Sequence, residues 1–328
     1  MTSPRRKRGP RRGLVLGAGG VLGAAWSIGA LNAVAEVEGF DPGECEVVVG
    51  TSAGSVLAAL LGAGLSVSDL RDHQRGMPLP HEVGLDWDYD RATGGAVPSR
   101  PRLSVGSPAL LRRTVVHPRR FPPLAVLAAL TPPGQGTLHE IGRMVRSVAT
   151  EDGWLRREGI WVVAMDYDSG RRVAFGRPGA PPALLDEAVM ASCAIPGWYA
   201  PVPIDGARYV DGGACSTTNV DLLADLGLDE VYVLAPMAAF VQDRPRRLLT
   251  RIERRIRRQV TRRLLHETAK LDGSGVALTV LTPGPEDLRA MGSNLMDPSR
   301  RLDVLETSLS TSMAALRHPR PDDLGIAL

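Results

Sequence analysis

A serine can attack an ester only if its oxygen stands clear of its neighbours, and the run Gly50-Thr51-Ser52-Ala53-Gly54 gives Ser52 the spacing that achieves this. A GxSxG pentapeptide fits a sharp strand-to-helix turn, where a side chain at Gly50 or Gly54 would strike the adjoining strand or helix. The helix that follows aims the partial positive charge of its N-terminus at the same point. Alone, the pentapeptide also recurs by chance as an ordinary turn containing a serine. A second glycine-rich turn precedes it, Gly17-Ala18-Gly19-Gly20-Val21-Leu22-Gly23. A dinucleotide loop needs G-x-G-x-x-G, and here Leu22 falls where the third glycine belongs, while Asp41, the nearest acidic candidate, precedes a proline in a turn. The alternative is an oxyanion hole for a Ser52 adduct, built from the N–H groups around Gly19 and Gly20, where one such donor is typically worth ~2.7–4 kcal/mol of barrier. The third constellation is Tyr209-Val210-Asp211-Gly212-Gly213, a carboxylate at a strand end with backbone crowded against it. Turn aspartates are common, but this one could serve as the base for Ser52.

The choice of base follows from the histidines. His73, His81 and His117 fall in an irregular stretch, His139 and His266 on polar helices, and His318 in the C-terminal tail. None has a setting that suits catalysis, so a Ser–Asp dyad fits better than a Ser–Asp–His triad. The carboxylate would take the serine proton directly, helped by a desolvated site that raises its pKa.

These residues need a scaffold, and the hydrophobic pattern supplies one. Short apolar strands are expected at 13–18 and 46–49, each followed by a glycine turn and an apolar helix, at 23–37 and 53–61. Two strand–loop–helix units in succession imply an α/β fold, a mostly parallel central sheet with helices on both faces. The stretch 71–135 is rich in Pro, Gly and Arg and reads as an irregular, lid-like insertion, with helical pieces at 107–116 and 124–130. Order resumes with a helix at 137–150, strands at 160–166 and 172–175, a helix at 184–191, a strand at 207–210, a helix at 220–226 and a strand at 231–234. An arginine-rich helix follows at 245–271, then a strand at 276–281 and a helix at 299–316. One domain is therefore expected over 13–316, between a disordered basic tail (1–12) and a C-terminal tail (317–328).

Composition bounds the partners. The 328 residues carry 39 Lys+Arg against 36 Asp+Glu, with 44% hydrophobic residues, which excludes wholesale disorder and leaves ample material for a core. Only Lys7 and Lys270 are lysines; a GC-rich genome accounts for that bias better than selected phosphate binding. Residues 5–12 and 243–267 hold 16 of the cations and three of the anions, so the remainder has 23 cations against 33 anions. The body is acidic, with two basic attachments. Cys45, Cys193 and Cys215 are odd in number and lack CxxC spacing, which argues against a disulfide scaffold or a zinc site. Five glycines interrupt the apolar stretch 14–31, so it reads as strand, loop and helix rather than a signal peptide. No uninterrupted apolar run of membrane-spanning length occurs. The cytoplasm is the default location, with the inner membrane face as the place of any peripheral contact.

Taken in order, glycine loop, Gly50–Gly54 and Asp211-Gly212-Gly213 resemble the patatin-like phospholipase family, and Ala191-Ser192-Cys193-Ala194-Ile195-Pro196-Gly197 resembles its small-residue-then-proline stretch. The resemblance covers roughly 13–237. It implies a three-layer α/β/α fold, hydrolysis of lipid acyl esters, a Ser–Asp dyad, and chemistry with no metal or other cofactor. By position it makes Ser52 the nucleophile, Asp211 its partner, and Gly19, Gly20 and the adjoining Val21 N–H the oxyanion donors. One departure stands out. The family's loop commonly carries Arg or Lys before its last glycine, and here that place holds Leu22, while Ala18 stands where the pattern opens with glycine. The backbone donors survive both changes; a fixed cation beside the loop does not.

The arginine helix has two readings. Leu248, Ile252, Ile256, Val260 and Leu264 recur every four residues, with Leu249 and Leu265 widening the stripe and ten arginines over the rest. It is either an interfacial helix drawn to anionic lipid, at about 1 kcal/mol per cation near the surface, or a surface helix packing its stripe on the acidic body. Its place between two strands favours the second. Nucleic acid is not expected as a partner, because no aromatic interleaving or recognisable module accompanies the charge. The sequence thus predicts a serine acyl hydrolase of lipid esters, of phospholipase A, lysophospholipase or esterase type. Two rivals remain: a catalytically weak membrane- or partner-binding protein on the same fold, and an α/β-hydrolase whose triad is completed by His266 or His318.

Overall fold

The computed structural model describes residues 9–79, 105–117, 120–241, 248–271 and 275–318. His81, much of the 71–135 stretch, most of the basic tail and residues 319–328 lie outside them. In chain order the strands are β1 (Arg12–Leu16), β2 (Val47–Thr51), β3 (Ile160–Asp166), β4 (Arg172–Phe175), β5 (Val202–Ile204), β6 (Ala207–Asp211), β7 (Glu230–Leu234) and β8 (Ala277–Leu281). The helices are α1 (Gly20–Glu38), α2 (Ala53–Gly62), α3 (Val67–Gln74), α4 (Pro108–Val116), α5 (Pro123–Leu130), α6 (His139–Val148), α7 (Leu185–Cys193), α8 (Leu248–Thr268), α9 (Pro285–Met291) and α10 (Arg301–Arg317).

The strands form one sheet in the order β5-β6-β3-β2-β1-β7-β8, with β4 also on β3. The β1–β2, β2–β3, β1–β7 and β7–β8 pairings are parallel, whereas β4, β5 and β6 enter antiparallel at one end. Val47, Val48 and Val49 are buried in succession, as a parallel strand covered on both faces requires. Alternate strand residues feed two cores. Leu14, Leu16, Val48 and Val162 pack under α1, α2, α6 and α7; Val15, Val49, Trp161, Val163 and Val233 pack under α8. A smaller third core joins Leu110 of α4 and Ala125 and Ala129 of α5 to Met165, Tyr167 and Val210. The result is a three-layer α/β/α sandwich, the architecture the sequence predicts.

Several boundaries differ from expectation for local reasons. β1 begins at Arg12, inside the stretch read as tail, because Arg11 and Arg12 pair with Glu46 and Glu230. The irregular stretch starts after Gln74 rather than at 71: Ser66 caps α3 in a capping box with Asp69, so that helix carries through Gln74. Arg317 belongs to α10, not to the tail. The helix expected at 220–226 is a 3-10 turn over Val220–Leu223. α1 is long and apolar enough to cross a membrane, but 72% of that window is buried within the fold, as in a core helix.

α8 corrects the expected stripe. A four-residue repeat drifts around a 3.6-residue helix, and the face that meets the sheet instead carries Arg254, Arg257, Val260, Thr261, Leu264 and Thr268, all buried. Ile256 and Leu265 are left 37% and 38% exposed. The side chains of Leu248, Leu249 and Ile252 lie outside the described residues.

Candidate active site

The two glycine turns lie side by side at the C-terminal ends of β1 and β2, where an α/β sheet leaves its strand-end crevice. The chain turns from β2 into α2 at Ser52, with φ 53° and ψ −124°, a left-handed conformation that a non-glycine residue adopts at a cost of order 1–3 kcal/mol. Local bonds hold that strain in place. The Ser52 carbonyl accepts from the Ser55 N–H at 2.8 Å and from Ser55 Oγ at 2.6 Å. The Ser52 N–H donates to Ser192 Oγ at 2.8 Å, and that hydroxyl in turn donates to the Val163 carbonyl at 2.6 Å. Gly54 has no alternative: a Cβ there would lie 2.0 Å from the Leu16 carbonyl oxygen. At Gly50 it would meet the Ser55 Cα at 2.5 Å.

Asp211 reaches the serine from β6, whose antiparallel pairing sets it opposite Ala164 on β3. The Ser52 hydroxyl donates to its carboxylate, and the Gly213 N–H donates to Oδ1 at 2.7 Å. A Cβ at Gly212 would collide with the Val163 carbonyl at 2.4 Å, so the turn after Asp211 is pressed onto β3. Ser52 and Asp211 are both buried, at 6% and 7% exposure. Burial pushes the Asp211 carboxyl up from 3.8 to about 6, against the two hydrogen bonds that favour the anion. A carboxylate so placed is ionised at neutral pH yet basic enough to share a proton with a hydroxyl.

The glycine loop lies across from this pair. Its outer bonds are made: Gly17 N–H to the Leu234 carbonyl at 2.9 Å, Ala18 to Thr217 at 2.8 Å, Leu22 to Leu295 at 2.9 Å and Gly23 to Gly19 at 2.9 Å. Among the described residues, the N–H groups of Gly19, Gly20 and Val21 have no protein acceptor. Gly20 sits at φ 61°, and a Cβ on Gly19 would press on Pro236 at 2.8 Å. Gly20, Val21 and Ser52 share the wall of one pocket of about 80 Å³ that opens to solvent. The rest of the wall is apolar, chiefly Val56, Leu57, Leu138, Ile141, Met144 and Met296.

All nine residues singled out by sequence therefore meet in one place: Ser52 and Asp211 bonded to each other, Gly50, Gly54, Gly212 and Gly213 shaping their turns, Gly20 and Val21 lining the pocket, and Gly19 next to them in the loop. No histidine joins them among the described residues; His117, His139, His266 and His318 are exposed. The 71–135 stretch contributes no pocket residue among those described, and α6 with the preceding Leu138 forms that wall instead. Leu22 is fully buried in the core, so the position where a family cation is common is sealed by an apolar side chain.

Sequence reasoning missed the residues that hold the loop from behind. Pro236 packs on Gly19 and Gly23. The fully buried Arg257 of α8 fixes that proline, donating to the Pro236 carbonyl at 2.6 Å while paired with Glu253. Met296 and Leu295 cover the loop on its other side. Ser192 was within reach of inspection, since it lies in the small-residue stretch, but its bond to the Ser52 N–H depends on strand placement.

The profile described as "Patatin-like phospholipase" matches residues 14–224, most of the chain. The chain belongs to the patatin-like phospholipase family. That membership supports lipid hydrolase activity and a lipid substrate. No curated protein sequence matches it. Among solved structures, VipD from Legionella pneumophila is similar with a TM-score of 0.45 and 12% identity, over 94% of this chain and 67% of that one. The type III effector protein ExoU is similar with a TM-score of 0.36 and 17% identity, over 94% of this chain and 53% of that one. This patatin-like chain thus spans about half the length of ExoU.

Proposed function

We propose that the protein is a serine acyl hydrolase that cleaves lipid acyl esters through a Ser52–Asp211 dyad. The observation that carries this reading is the Ser52 hydroxyl bonded to a buried carboxylate with a raised pKa, opposite three N–H groups that have no protein acceptor among the described residues. Ser52 Oγ attacks the ester carbonyl carbon as its proton passes to Asp211. The carbonyl oxygen becomes an oxyanion and takes hydrogen bonds from the Gly19, Gly20 and Val21 N–H groups, donors that were preorganised before the charge formed. Collapse expels the alcohol, which leaves with the proton held by Asp211. Water then attacks the acyl-Ser52 ester, again giving a proton to Asp211, and the free acid and serine are restored. The acyl chain lies along Val56, Leu57, Ile141 and Met144, so an aliphatic acyl group suits the pocket better than a polar one.

Ser52→Ala should abolish turnover of a p-nitrophenyl acyl ester, a loss of roughly 10⁴-fold or more, and abolish covalent labelling by a fluorophosphonate, with the melting temperature retained. Turnover persisting in that variant would sink the assignment. Folded wild-type protein that resists the fluorophosphonate would instead favour a binding protein on a patatin scaffold.

A further inference from the structure

The third core is covered by a helical hairpin, α4 and α5, whose outer side is unlike the rest of the surface. α5 reads Pro-Leu-Ala-Val-Leu-Ala-Ala-Leu, with no polar side chain at all, and only Ala125, Ala128 and Ala129 are buried. Leu127 and Leu130 are 58% and 53% exposed. Val105, held beside this helix where the Ser107 N–H donates to the Ala129 carbonyl at 3.1 Å, is 52% exposed. On α4, Val115 and Val116 are exposed as well. Five of the eleven large apolar side chains exposed among the described residues thus fall on or beside this one hairpin, a concentration that marks an interaction surface rather than scattered apolar positions.

The segment that forms it carries charge of one sign, and the carboxylate that touches it from outside, Asp168 on Ser107, is already paired with Arg208. From Arg91 to His139 the chain has seven arginines and no Asp or Glu. Of these, Arg112, Arg113 and Arg120 are exposed on or beside the hairpin. An apolar ridge framed by arginine, with no carboxylate of its own segment to pair with, complements the anionic face of a phospholipid bilayer. The α8 helix differs: Arg254 and Arg257 are buried, both pair with Glu253, and Arg263 pairs with Glu267.

The chain that leaves the hairpin leads to the pocket. Past Leu130, Thr131 packs on Gly197, and the Gly136 N–H donates to the Trp198 carbonyl at 2.9 Å, beside the pocket residue Tyr199. A bilayer at this face would meet the protein next to the wall that receives the acyl chain. We propose that the outer face of the α4–α5 hairpin, centred on Leu127, Leu130, Val115 and Val116 and framed by Arg112, Arg113 and Arg120, docks the protein on an anionic phospholipid surface. This rests on the acyl-hydrolase reading for its purpose, but docking is separable from turnover.

The test is co-sedimentation of the full chain, carrying Ser52→Ala to prevent turnover, with phosphatidylglycerol vesicles and with phosphatidylcholine vesicles. Binding should favour phosphatidylglycerol and fall with added salt. Leu127→Glu/Leu130→Glu should weaken it at least tenfold, and Arg112→Gln/Arg113→Gln by roughly 10- to 30-fold. In the catalytically intact protein, the same pairs should leave turnover of a soluble p-nitrophenyl ester unchanged while turnover of vesicle lipid falls. The arginine pair, wholly on the surface, guards against misfolding of the leucine pair. Binding that survives both pairs and is lost on Arg258→Gln/Arg262→Gln would move the surface to α8 and overturn the proposal. Absence of wild-type binding would overturn it too, as would a dimer without lipid that the leucine pair dissolves. Loss of soluble-ester turnover in wild type would strike the hydrolase reading and leave vesicle binding to stand or fall alone.

Discussion

The two glycine turns that meet at the pocket are built in different ways. The Ser52 turn draws on its immediate neighbours. Ser55 lies three residues ahead, the adjacent strand excludes any side chain at Gly54, and Ser192 adds one longer-range bond. The Gly17–Gly23 turn is suspended from distant parts of the chain, Thr217, Leu234, Pro236 and Leu295. A strained Ser52, as the proposed nucleophile, needs a stiff hinge. A row of idle N–H donors needs the opposite: surroundings that bind every other group of the loop and leave those three unused. One turn is therefore closed by its own residues and steadied by β1 and Ser192, while the other is set almost wholly by the tertiary fold.

Substitutions can pull the two turns apart. The largest effect is expected on the Ser52 side, from Asp211→Asn, which removes the proposed base while keeping the shape: kcat for a soluble ester should fall roughly 10³-fold or more. In wild type, kcat/KM should rise with pH through about 6 and level above it, as Asp211 loses its proton. A profile flat from pH 4 to 8 would argue against Asp211 as the base. The same shift has a stability consequence of defined sign. Its folded-state pKa is raised from 3.8 to about 6, so the native state holds the proton more tightly than the unfolded chain and loses stability as pH climbs between those values. Asp211→Asn should therefore be more stable than wild type at pH 8, by up to about 3 kcal/mol, and lose that advantage near pH 4. Denaturant titrations at the two pH values read the difference.

On the donor side, Leu22→Arg restores the cation common in the family but forces it into a fully buried site. It should cost about 3 kcal/mol or more in unfolding free energy, with no gain in kcat; a stable variant with higher kcat would mean that the loop can open to admit it. The smallest effect is expected from Arg257→Lys, which keeps the charge but loses the planar fork behind Pro236. If that arginine positions the donor loop, kcat should fall about tenfold, some 1.4 kcal/mol, with KM little changed, whereas Arg258→Lys on the exposed side of α8 should leave both alone.

Much of this was legible in the chain itself. Glycines two residues to either side of Ser52, the valine run before it and the carboxylate before Gly212 and Gly213 are short-range signals in the sequence, although what excludes a side chain at Gly54 and Gly212 is the backbone of the neighbouring strands at Leu16 and Val163. Strands β1 to β3 and most helices could be placed from hydrophobic period alone. The donor loop's supports could not, because Pro236, Arg257 and Met296 lie more than two hundred residues from Gly19 and carry no local mark of their role. The α8 stripe misled for a related reason: a four-residue apolar repeat does not say which face the sheet will cover. In α4 and α5 the helices were readable, but the exposure of Val115, Val116, Leu127 and Leu130 was not, since an apolar stretch reads the same whether it is buried or bare.

The sequence by itself determined the chemistry on offer, a serine at a sharp turn, a carboxylate at a strand end and a glycine loop. Each is marked by residue types within a short stretch, where the spacing of glycines, serine and carboxylate leaves little choice of turn. Only the tertiary structure decided that the three converge. It raised the Asp211 pKa by taking it out of water, left three N–H groups unused by satisfying their neighbours, buried Arg257 to hold the loop and left the α4–α5 ridge exposed. Those outcomes depend on desolvation and on contacts between distant segments, quantities that exist only once the chain has folded.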